Sequence, residues 1–332
     1  MVIDSRPRTF RDLVRKHTDF LVNPLQWTSR HLDLVGSRFD DIAIIPPYTD
    51  STTSACPDTG RQPPNDAETL ARNIFPDVKC RSLIKILVGK GLLNSKGTSL
   101  WFQGRRVHRP RYLVFHPRKE SLNRNDSTSP SFVGYVHYTD VVGDRRRQFE
   151  PCSGPRGVNN RPGIQLCLKK VAQTTPKDWT EDAYFMCHLL ALAHSISLNQ
   201  LRILYVSACP ALHPSLWSLL ICFLPRLLVT HGQEREYIFL YEADIPTELL
   251  DGLWNPKDAT SPMKWPTIRR EKIPYEPFDT FSSRLVAELV APSHSPSHDP
   301  MISSDGPSCV TSRKRSHEEE TGGKYKIPRP SE

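Results

Sequence analysis

The chain lacks the patterns that would assign a class at once. None of its eight cysteines, at 56, 80, 152, 167, 187, 209, 222 and 309, pairs with another as C-x-x-C. That excludes a zinc ribbon and a thioredoxin-like motif, and scattered single thiols fit a reducing compartment. No fixed period runs through the sequence, so coiled coil, collagen and repeat arrays are excluded with disulfide scaffolds. Hydrophobic residues are 38% of 332. The first residues, Met1 to Arg6, are charged at once and have no apolar core, so a secretory signal is not expected. Arg6, Arg8, Arg11 and Arg15 hint at a transit peptide, and Asp4, Asp12 and Asp19 argue against one. The uncharged, Leu-rich run 203–225 is broken by Pro210 and Pro214. A membrane span is not expected there. The expectation is a nuclear or cytoplasmic protein, not a secreted one.

What is present in excess is proline, 30 residues or about 9% where about 5% is usual. Five prolines fall in 46–65 among Thr, Ser and Asp, which predicts a linker. Beyond Pro292 the chain is Ser, Pro, His, Asp and Lys, too polar to offset the entropy of ordering, so 292–332 reads as a disordered tail. Apolar residues at helical spacing in 8–22 predict a helical N-terminal arm over 1–45.

Between linker and tail, 66–291 reads as one α+β domain of mixed strands around a buried central helix. Helices are predicted over 68–75, stopped by Pro76, and over 81–88. Period-two stretches at 111–115, 132–138 and 164–168 predict strands, as do 227–229 and 237–241. The almost wholly apolar 184–196 predicts the buried helix, with Asp178 and Glu181 placed as a capping box. Pro246 opens a short helix, and 278–290 is the last amphipathic one. Residues 206–226 have no charge before Arg226, three prolines and no period. Val206-Ser207 can be encoded as GTAAGT and Arg226 can carry an acceptor AG, so this span reads as a retained intron.

Charge is the most uneven feature. Residues 79–119 hold eleven Lys and Arg and no Asp or Glu, against a net +8 for the whole chain. Trp101, Phe102, Tyr112 and Phe115 are interleaved with them. A helix, a Gly-rich end and a basic hairpin in this order resemble a winged helix, and the segment predicts a face for nucleic acid or another polyanion. Arg105, Arg106 and Arg109 at the hairpin, and Arg81 and Lys85 four apart on the helix, are the candidate contacts. The alternative is a solvated surface or internal pairing. In the tail, Arg313-Lys314-Arg315 reads as a signal for a nuclear import receptor.

Other constellations carry less. Glu242 and Asp244 share a strand face and could hold Mg²⁺ in a nuclease, but the acidic-x-Lys partner is missing. Cys187 and His194 lie seven apart on the buried helix with no third ligand. Cys152 has no positioned base. No catalytic residue, metal ligand or cofactor is assigned, and the reading leans towards a protein that is not an enzyme.

Three stretches taken together, 112–119, 179–184 and 227–241, resemble a family of uncharacterised ascomycete proteins over roughly residues 68–290. The resemblance implies a fungal source and no activity, since none is assigned to the family; some members lie near specialised-metabolite genes. Two readings follow. One is a non-enzymatic nuclear binding or regulatory module with a polyanion-binding basic face. The other is an accessory or enzymatic protein of a fungal specialised-metabolite cluster, acting through a pocket.

Overall fold

The computed structural model describes residues 9–17, 21–45, 65–117, 132–207, 222–259 and 261–291. The linker apart from Asn65, most of 206–226, and the tail with Arg313, Lys314 and Arg315 lie outside the described residues. The chain enters through α1 (Phe10–Lys16), α2 (Ser29–Val35) and β1 (Phe39–Ile44), then α3 (Asp66–Arg72) and α4 (Pro76–Gly89). β2 (Leu92–Lys96), a hairpin of β3 (Leu100–Phe102) and β4 (Arg105–His108), and β5 (Leu113–Pro117) follow. β6 (Val133–His137) leads into α5 (Tyr138–Gln148), α6 (Arg161–Thr174) and α7 (Tyr184–Ser207). The remainder is β7 (Cys222–Phe223), β8 (Arg226–Thr230), β9 (Tyr237–Ala243), β10 (Ile245–Pro246), α8 (Thr247–Trp254), β11 (Ile268–Pro274) and α9 (Phe278–Val290).

The architecture is α+β, built on a mixed seven-stranded sheet in the order β1-β11-β9-β8-β6-β5-β2. β6 and β8 are parallel, so the chain must cross over between them, and α5, α6 and α7 make that crossover. β1 also runs parallel to its neighbour β11, while the other pairs are antiparallel. Pleating sends alternate side chains to opposite faces. Leu227, Val229 and Phe239 join one core with α7, whereas Leu228, Ile238 and Leu240 join another with α3, α4 and α9. The sheet is therefore the central layer, and α7 lies against one face of it instead of being ringed by strands. Gly134 on β6 permits the close approach: a Cβ there would stand 2.7 Å from Leu192 and 2.9 Å from Leu227.

Several expectations are corrected. The N-terminal segment is not a separate arm, because Leu13, Leu25 and Leu32 are buried in the α7 core and β1 completes the sheet edge. Residues 164–168 lie in helix α6, not a strand. Asn160 caps it by accepting from the Gly163 amide at 2.9 Å, and Pro162 sits in its first turn. A helical period spreads Ile164, Leu166 and Leu168 round the axis, and all three are exposed. Pro76 does not stop the first predicted helix; it starts α4. At the end of the span read as an intron, Phe223 and Arg226 are both buried. Arg226 bonds Glu242 and the carbonyls of Leu289 and Ala291, so this end belongs to the fold.

Candidate functional site

The described part of the basic segment, 79–117, is divided between the two faces of the sheet, and Arg118 and Lys119 lie outside the described residues. α4 packs in the core formed with α3 and α9, while the β3–β4 hairpin packs on α7 and α8 through Leu100. Arg81 and Lys85 are exposed on α4, and Lys85 meets Asp66 at 3.3 Å. They do not join Arg105, Arg106 and Arg109. The winged-helix resemblance fails for the same reason, since β2 runs into the main sheet and separates the helix from the hairpin.

Lys79 leaves the cationic set altogether. It is fully buried, and its Nζ donates to the carbonyls of Leu70 (2.8 Å), Ala71 (3.2 Å) and Glu234 (3.2 Å). The first two are last-turn carbonyls of α3 that lack helical partners, so Lys79 ties that helix to the β8–β9 connection. Burial lowers its pKa to about 8.

The hairpin keeps its arginines. Gln103 and Gly104 both have positive φ, 52° and 65°, which is the backbone of a tight two-residue turn with the twist a hairpin needs. Arg105 and Arg106 follow the turn immediately, paired across the ladder with Phe102 and Trp101. Arg105, Arg106 and Arg109 are exposed, with no acidic partner among the described residues. Between them, His108 turns inward, its Nε2 2.6 Å from the Tyr184 hydroxyl. Burial lowers the His108 pKa, so the ring is neutral at pH 7 and adds no charge.

Arg106 and Arg109 line one concavity, whereas Arg105, one residue before Arg106 on β4, points to the opposite face of the hairpin. Two further exposed arginines come from the β4–β5 connection and α5. Asp144 on α5 bonds Arg147 and lies 3.6 Å from Arg111, so one carboxylate carries two exposed arginines next to β4. The signal for Arg147 was the run Arg145-Arg146-Arg147, which does not reveal that Arg145 turns into the core.

Beside the hairpin is a cavity of about 320 Å³, walled by Trp27, Trp101, Phe102, Val107, Leu190 and Trp265 among others, with Asn23 the one non-aromatic polar side chain among the described residues that line it. Val107 also lines an open concavity together with Arg106, His108 and Arg109. No sequence pattern marked the cavity, because its walls come from five separate parts of the chain.

The remaining constellations resolve into structure. Glu242 is a buried partner of Arg226, and Asp244 pairs with Arg269 at 2.5 Å. Cys187 is fully buried, and its thiol pKa is raised by that burial. Among the described residues no cluster of three or more His, Cys, Asp or Glu could hold a metal ion, and no helix is long and apolar enough to cross a membrane. No protein-family model matches the chain, and no curated protein or solved structure does.

Proposed function

We propose that the protein is a non-enzymatic nuclear binding or regulatory module that takes a phosphate-rich polyanion, nucleic acid above all, on the exposed arginines of the β3–β4 hairpin, the β4–β5 connection and α5. The observation that carries this reading is that Arg105, Arg106 and Arg109 are exposed and without acidic partners among the described residues, with Arg111 and Arg147 as further exposed cations that share Asp144 and feel Asp140. Each arginine that reaches a phosphate releases condensed counterions, so affinity follows salt with a slope of about −0.9 per contact. Five contacts give a loss of several hundredfold, on the order of 500-fold, between 50 and 200 mM salt.

Replacing Arg105, Arg106 and Arg109 together by Ala is expected to weaken binding to any duplex about equally and to cut the salt slope by about 3. Thermal stability stays nearly constant, since exposed side chains without partners contribute little. Replacing Arg81 and Lys85 by Ala is the matched control on the far face, and affinity there should stay within about twofold. Anisotropy titrations at two salt concentrations measure all three proteins. Equal losses from both sets, or no binding at micromolar protein in low salt, would end this reading.

Arg313-Lys314-Arg315 supports the nuclear part of the proposal, as a short basic cluster within a polar segment. Changing all three to Ala should hold a fluorescent fusion in the cytoplasm; an unchanged nuclear signal removes the import claim. The rival reading, a role in fungal specialised metabolism, draws on the tryptophan-walled cavity beside the hairpin.

A further inference from the structure

The cavity and the arginines meet at one residue. Val107 lines the apolar cavity and also the open concavity formed by Arg106, His108 and Arg109. It is 45% exposed, and Leu21 on the cavity wall is 50% exposed, so the apolar space opens at the surface. A wall of aliphatic and indole side chains favours an apolar guest by burial and is indifferent to its head group. The neighbouring cations are not indifferent. Arg106 and Arg109 present planar, fixed forks that match a carboxylate with two parallel hydrogen bonds. His108 is already engaged with Tyr184, so among the residues that line the concavity the charge is on the two arginines, with the Asp144 carboxylate of α5 close enough to act on His108.

We infer that the cavity beside the β3–β4 hairpin binds an amphipathic carboxylate, its apolar body among Trp27, Trp101 and Trp265 and its head on Arg106 and Arg109. About 320 Å³ lies at the small end of ligand cavities, which limits the body to the size of a medium-length acyl chain. The inference goes beyond nucleic-acid binding and does not depend on it, although the two readings share Arg106 and Arg109. Occupancy by such an anion would compete with phosphate at those two arginines.

The test is a titration of the full chain with dodecanoate, followed by tryptophan emission, with dodecanol as the uncharged comparator. Saturable binding at micromolar dodecanoate is expected. Arg106→Ala with Arg109→Ala should weaken dodecanoate at least tenfold and leave dodecanol unchanged. Val107→Trp, made at a half-exposed position that tolerates a larger side chain, closes the mouth and should abolish both. Arg105→Ala, outside both the cavity and the concavity, should weaken duplex binding and leave dodecanoate unchanged, so failure of the polyanion reading and failure of this one are told apart. Absence of saturable dodecanoate binding overturns the inference. So does binding that survives Val107→Trp, or binding that ignores loss of the two arginines.

Discussion

Arg145→Ala is expected to destabilise the protein by about 3–5 kcal/mol, the range for removing one partner from a buried ion pair. Arg145 and Asp182 are both 0% exposed, and the guanidinium bonds both carboxylate oxygens. The remaining groups are also satisfied. Arg145 Nε donates to the Leu25 carbonyl at 3.0 Å, the Tyr138 hydroxyl donates to Asp182 at 2.9 Å, and the Tyr184 amide donates to its other oxygen at 2.9 Å. One pair therefore holds α5, the turn at Leu25 and the start of α7 in register. Truncating the arginine leaves a carboxylate in the core with no cation, and that desolvated charge is the main cost. For a domain of this size the melting temperature should fall by roughly 6–20 °C. Arg146→Ala, one residue along and exposed, should move it by no more than about 0.5 kcal/mol. Replacing both partners, Arg145→Met with Asp182→Leu, should cost less than either single change, because no charge is then left alone. Urea titrations of Arg145→Ala, Arg146→Ala, Arg145→Met, Asp182→Leu and the double variant decide it; an Arg145 or Asp182 single variant as stable as the parent would refute the argument.

The same residues show what a linear reading can and cannot recover. The apolar runs at 237–241, 184–196 and 278–290 mark β9, α7 and α9 because burial, by itself, fixes those patterns. β11 was missed because its inward positions include Arg270, which is buried against the Thr180 hydroxyl and the Asp40 carbonyl, so the alternation looks charged. β1 was missed for a related reason: it is an edge strand with two aspartates and needs β11 to exist. Residues 164–168 alternate like a strand, yet Asn160 and Pro162 start a helix there, and a five-residue alternation is too short to outweigh those two start signals. Charge counts misled in the same way. Lys79, Arg81 and Arg105 weigh equally in a sum, yet one is a buried clamp and the other two lie on opposite faces of a sheet. Which cations share a surface depends on topology, and the crossover that sets this topology is a long-range pairing of β6 with β8. The hairpin was legible because a two-residue turn is a local event.

Acid should unfold this protein well above the pH at which ordinary carboxylates protonate. His137 is buried at the close of β6, where that crossover begins, and His188 is buried in the first turns of its last helix, α7. Burial, first, lowers His137 to about 4, with Lys79 and His231 adding repulsion. Burial lowers His188 to about 3; its bond to the Tyr184 carbonyl opposes this, while His108 and Arg145 reinforce it. In the unfolded chain both titrate near 6.5. The folded values are depressed, so unfolding takes up protons at any pH between the folded and unfolded values. Stability is held above about 6.5 and lost as pH falls towards 4 and 3. Two protons at about 1.4 kcal/mol per pH unit each give a loss of about 5 kcal/mol between pH 6.5 and 4.5. That is comparable with the whole stability of an ordinary domain. His108, His194 and His231 are lowered by burial too and act in the same direction. Asp140 and Asp251, raised by burial, work against the trend, but only near the carboxylate range where most of the loss has already occurred. The urea midpoint should therefore be much lower at pH 5 than at pH 7, and His188→Leu should flatten that difference by removing one of the two protons. Equal midpoints at the two pH values would show that these imidazoles accept protons in the folded state, which requires that water or an acid reaches them.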